Sequence, residues 1–114
     1  ASTLSALYAR PWDEAAAWRA LGTAWGWPAP GAEPCTQAAA QGLQCHRGRG
    51  GLAVIRALDR PVVLPLADDA GRRAHAVLWA VHDGVAELEA ADGRLRVPLV
   101  LLARHWRGEF ATLW

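Results

Sequence analysis

The apolar residues change their spacing near the middle of this chain, and the predicted elements change with it. In the first half the spacing is helical. Pro11-Trp12-Asp13-Glu14 opens a helix, with Asp13 and Glu14 in the first turn, where carboxylates meet the positive end of the helix dipole. Trp18, Leu21 and Trp25 recur among alanines along it, Gly26 ends it, and Pro28 and Pro30 forbid continuation. A Pro/Gly loop follows over residues 27–34, then a short helix from Thr36 to about Gln41, with Gly42 as its stop. Arg47-Gly-Arg-Gly-Gly51 reads as a loop, and Leu52, Ile55 and Leu58 fall on one side of another helical stretch.

In the second half the period is two. Residues 61–66 read as a strand, with Pro65 placing it at an edge or a bulge. Asp68-Asp-Ala-Gly71 is a turn. Residues 74–81 form the strongest strand, with His75, Val77, Trp79 and Val81 on one face. The Asp83-Gly84 and Asp92-Gly93 pairs join it to strands over 85–89 and 94–97, because glycine supplies the positive φ of a tight hairpin turn. Pro98 starts a short helix reaching about His105, and residues 109–114 close the chain as a strand. Helices first and an antiparallel meander after them predict an α+β domain, its N-terminal helices packed on the sheet. Residues 1–10 read as an extension or linker and residues 11–114 as the domain.

Composition narrows the chemistry. With 114 residues the chain is one domain, and a net charge of +1 with eleven acidic residues opposes nucleic-acid binding. All twelve basic residues are arginine, and no apolar run approaches the ~20 residues of a membrane span. The chain has no methionine, so it is expected to be an excised or processed piece of something longer. The glycine-rich loop lacks the Gly-Lys-Ser/Thr of a phosphate loop, and no spacing calls for a metal or cofactor. Cys35 and Cys45 have three uses: a disulfide, a metal site, or a nucleophile. An even count in a small domain favours the disulfide. The competing reading is a thiol peptidase pairing Cys35 or Cys45 with His75, since Cys35 lies near a predicted helix start. Trp12 and Trp27 are candidate platforms for a glycan.

Leu58-Asp-Arg-Pro-Val-Val-Leu-Pro-Leu66, Ala74-His-Ala-Val-Leu78, Leu102-Ala-Arg-His-Trp-Arg-Gly-Glu-Phe110 and the terminal Leu113-Trp114 together resemble the periplasmic region of the general secretion pathway protein A family. Cys35 and Cys45 ahead of Gly50-Gly51-Leu52 fit the same region. The resemblance implies a papain-like fold, that of the double-glycine leader peptidases, in reduced form. It further implies a periplasmic location, an upstream membrane span, a cytoplasmic ATPase domain elsewhere in the protein, and a B partner with which the whole assists secretin assembly in type II secretion. Direct contact with peptidoglycan is a second possibility. In active relatives the nucleophilic cysteine opens the first helix about thirteen residues before a glycine, which here falls on Asp13. The histidine matches His75, and the orienting acid falls on Glu89. The resemblance thus implies a degenerate site of Asp13, His75 and Glu89 with no catalysis, and a periplasmic Cys35–Cys45 disulfide.

Overall fold

The computed structural model describes residues 7–24, 42, 45–51, 53, 60–91 and 93–113. Along the chain run α1 (Glu14–Ala24), β1 (Cys45–Arg49), β2 (Val62–Ala67), β3 (Arg73–His82), β4 (Val85–Ala90), β5 (Gly93–Pro98), α2 (Leu99–His105) and β6 (Glu109–Leu113). The strands form one antiparallel sheet in the order β1-β6-β2-β3-β4-β5. Its β3-β4-β5 meander has its first turn at the predicted Asp83-Gly84 pair, and β5 begins at Gly93. Asp83 and Gly84 have φ of 52° and 74°, the left-handed pair that matches the twist of a two-residue hairpin.

Helices cover both faces of the sheet. On one face Ala17, Trp18 and Leu21 of α1 pack against Val63, Val77 and Ala111. On the other, Leu102 of α2 joins Leu64, Leu66, Ala74, Ala76, Leu78, Leu88 and Phe110. The central strands are therefore buried on both sides, and Val62-Val63-Leu64 and Ala76-Val77-Leu78 are apolar at consecutive positions instead of alternating ones. Trp18 and Leu21 are fully buried; an aliphatic side chain such as Leu21 contributes roughly 1.5–3 kcal/mol by leaving water.

Several expectations change. The strand β1 lies where a glycine-rich loop was expected. Its Cys-His-Arg-Gly-Arg sequence has little β propensity, and the register with β6 supplies the ladder instead. Gly48 stands opposite Phe110, whose ring fills the space a side chain would need: a Cβ there would lie 2.9 Å from Phe110 Cζ. Pro65 is not on an edge strand. His75, its partner on β3, sends its N–H away from β2, so Pro65 sits in a non-hydrogen-bonded pair. The missing donor then faces β6, which pairs with β2 within the strands only at Val63–Ala111.

Val81 does not share the face of His75, Val77 and Trp79. The register of β3 against β4 shifts between Leu78 and Ala80, and the extra residue turns Val81 toward the opposite core. Leu7 and Tyr8, expected in a linker, are buried in that same core, where the Tyr8 hydroxyl lies 2.9 Å from His105 Nδ1. The predicted helix over 36–41 lies outside the described residues. So does the stretch 52–58 except residue 53, which is helical.

Candidate functional site

The start of α1 is fixed twice. Asp13 is its N-cap: the Ala16 N–H donates to Asp13 Oδ1 at 2.8 Å, and the Ala17 N–H donates to the Asp13 carbonyl at 3.3 Å. One residue earlier, the Trp12 carbonyl accepts the His75 N–H at 3.0 Å, and the two residues form a β-bridge. The bridge is possible because β4 pairs with β3 only from Val77 to His82, leaving the flank of β3 open at His75. The helix N-terminus is therefore pinned beside His75.

Glu14 ties a third element to this point. Its Oε1 accepts from Arg47 Nη1 of β1 at 2.6 Å and from Trp18 Nε1 at 3.4 Å. Partial burial pushes the Glu14 carboxyl up, but the Arg47 bond and charge outweigh it, and the group lies below its ordinary 4.5. His75 moves the same way for a different reason. Burial disfavours its charged form, and the carboxylates of Glu14 and Asp13 only partly offset this, so its pKa lies below 6.5.

These groups surround a hollow of about 510 Å³ on the part of the sheet α1 leaves uncovered. Val63, Pro65 and Ala111 floor it, and Glu14, Arg47, Arg49, His75 and Glu109 supply its charged and polar groups. A second hollow of about 540 Å³ shares Pro65, His75 and Glu109 with the first. His75 thus stands where the two meet.

The structure brings Asp13 and His75 together and assigns Glu89 to other partners. Glu89 pairs in register with Val77, accepts from Trp79 Nε1 at 2.9 Å and lies 3.6 Å from Arg94 Nε. The Arg94 guanidinium in turn sits 4.6 Å from the Trp79 ring centroid. The carboxylate at the expected acid position is thus held by Trp79 and Arg94. Glu14, taken only as a helix-dipole residue, is the first-turn carboxylate that both meets Arg47 and acts on His75. Arg47 itself was hidden by the loop reading of its segment. Cys35 lies outside the described residues, and Cys45 is described by its backbone alone, at the end of β1 opposite Leu113 and away from Arg49. Among the described residues no group of three or more His, Cys, Asp and Glu side chains could hold a metal ion.

The family described as GspA, peptidase C39-like domain, has a sequence model that matches residues 3–114. The chain belongs to this family. It is 30% identical over 80 residues to general secretion pathway protein A of Aeromonas hydrophila, a match covering 70% of this chain and 15% of that protein. Its fold is similar to a periplasmic domain of the EpsAB fusion protein of the Vibrio vulnificus type II secretion system, with a TM-score of 0.71 and 24% identity over 94% of this chain and 48% of that one. It is also similar to the peptidase domain of Streptococcus mutans ComA in complex with a small-molecule inhibitor, with a TM-score of 0.61 and 12% identity over 92% and 97% of the two chains. This GspA-family domain therefore has a C39-like peptidase fold of the α+β class.

The depressed His75 pKa has a stability consequence. Between the folded value and 6.5 the unfolded chain binds a proton that the folded chain refuses, so folding stability falls as pH drops below about 6.5 and levels off beneath the folded pKa. Urea unfolding of the wild type and His75→Asn between pH 7.5 and 4.5 should show this fall in the wild type and a shallower one in the variant. Identical pH slopes would contradict the placement.

Proposed function

We propose that this domain is a non-catalytic periplasmic module of a GspA-type secretion protein, serving as a binding or scaffolding surface. The observation that supports it most is the helix start beside His75. Residue 13, where active relatives are expected to carry their nucleophile, is an aspartate committed to capping α1. Thiol catalysis requires a thiolate held against a base, and a carboxylate at residue 13 is a far poorer nucleophile toward an amide. The residue at the acid position, Glu89, is engaged by Trp79 and Arg94. The rival reading, a peptidase using Cys35 or Cys45 with His75, finds less support because Cys45 begins β1 at the end away from the hollow.

The wider role in this proposal follows the family. The whole protein is tethered to the inner membrane by an upstream span, carries its ATPase elsewhere, and acts with a B partner in assembling the secretin across peptidoglycan. The likeness to a periplasmic domain of a type II secretion fusion protein supports that setting. An oxidising periplasm in turn supports a Cys35–Cys45 disulfide. Closing so short a loop would contribute roughly 3 kcal/mol on the chain-entropy estimate, and it would tether the first residue of β1.

Two measurements test this proposal. Removing the domain from the full-length protein should sharply reduce secretin multimers while leaving nucleotide hydrolysis near wild type; unchanged multimers would contradict the role. Intact mass after alkylation without reduction should show no added alkyl groups, and two additions would contradict the disulfide.

A further inference from the structure

We infer that the two joined hollows around His75 seat an acidic segment of a partner polypeptide, bound in extended form, with Arg73 and Arg107 receiving its carboxylates. This rests on the reading above, that the cleft binds without cutting. The shared residues Pro65, His75 and Glu109 make the hollows one channel across the ends of β2, β3 and β6. Its floor carries small or flat side chains: Val63, Pro65 and Ala111 on one side, Ala67 on the other. A floor of this kind lets a backbone approach closely.

The charges in the channel are unequally matched. Its three carboxylates each meet an arginine: Glu14 with Arg47 at 2.6 Å, Glu109 with Arg49 at 2.9 Å, and Asp68 with Arg72 at 2.6 Å. Arg73 and Arg107 line the second hollow, are exposed, and have no carboxylate partner among the described residues. Two planar guanidinium forks beside an apolar floor suit carboxylates, each able to accept two parallel N–H bonds. The three resident carboxylates disfavour a continuous polyanion such as nucleic acid. A peptide with spaced acidic side chains can place neutral residues near Glu14 and Glu109 and acidic ones at Arg73 and Arg107. A glycan would call for an aromatic platform, and the one aromatic carbocycle lining the channel is Phe110, which is buried toward the opposite core.

The test uses the intact chain and a fluorescein-labelled dodecapeptide of alternating Glu and Ala, read by anisotropy against its Lys-for-Glu counterpart. The acidic peptide should bind more tightly, and more weakly as salt rises from 50 to about 200 mM, as exposed charges are screened. Arg73→Gln with Arg107→Gln should weaken it by about tenfold or more, the scale of one lost charge-assisted hydrogen bond. Both positions are exposed, so the double variant should keep the wild-type melting temperature. Equal binding of the two peptides, unchanged affinity in the double variant, or binding of a disaccharide-tetrapeptide from peptidoglycan without the acidic peptide would each overturn the inference. If deleting the domain blocks secretin assembly but the acidic peptide does not bind, this inference falls alone. If the peptide binds and the deletion is silent, the secretion role falls and the acidic site stands.

Discussion

A single backbone hydrogen bond, from the His75 N–H to the Trp12 carbonyl, sets where α1 begins relative to the sheet. It exists because β4 stops short of the N-terminal end of β3, leaving an unpaired flank that Trp12 occupies. From there the chain has one residue, Asp13, in which to turn into a helix, and its carboxylate satisfies an N–H that the first turn would otherwise leave unbonded. The helix then lies across Val63, Val77 and Ala111 and leaves the lower ends of β1, β6, β2 and β3 open. The cleft is thus a consequence of where α1 starts and how far it reaches.

The same geometry explains why a helix start beside a histidine suits both catalysis and capping. The dipole favours negative charge at this point, whether it sits on a thiolate or a carboxylate. With a carboxylate there, the charge goes into helix stability, at about 1 kcal/mol for a cap. The second carboxylate, Glu14, is drawn to Arg47 and ties β1 to the helix. His75, partly buried and held below its ordinary pKa, is left in the wall of the hollow. Of the arginines around the hollows, Arg73 and Arg107 have no carboxylate partner among the described residues, which supports the proposed acidic occupant.

Much of this was legible in the sequence wherever a local rule and the tertiary structure agreed. The Asp83-Gly84 hairpin is such a case, since only residues tolerant of positive φ fit that turn. Asp13 at the helix start and His75 on the central strand were legible for the same reason. Burial on both faces hid the alternation in β2, and a bulge at Trp79 broke it in β3. The strand character of Cys-His-Arg-Gly-Arg was not legible, because its β propensity is low and its pairing depends on Phe110 folding over Gly48 from 62 residues further along the chain. With β1 unread, Arg47 could not be placed near Glu14. Glu89 was found by spacing alone, and spacing does not reveal that Trp79 and Arg94 hold its carboxylate.

In the reading proposed here, residue 13 occupies a nucleophile's place beside His75. The direct test is the thiol pKa of an Asp13→Cys variant, read from the pH dependence of iodoacetamide labelling at the peptide that carries it, with and without His75→Ala. The thiol should titrate well below the ordinary value of about 8.5 and move back toward it when the histidine is removed. A thiol that titrates near 8.5 in both backgrounds would contradict it.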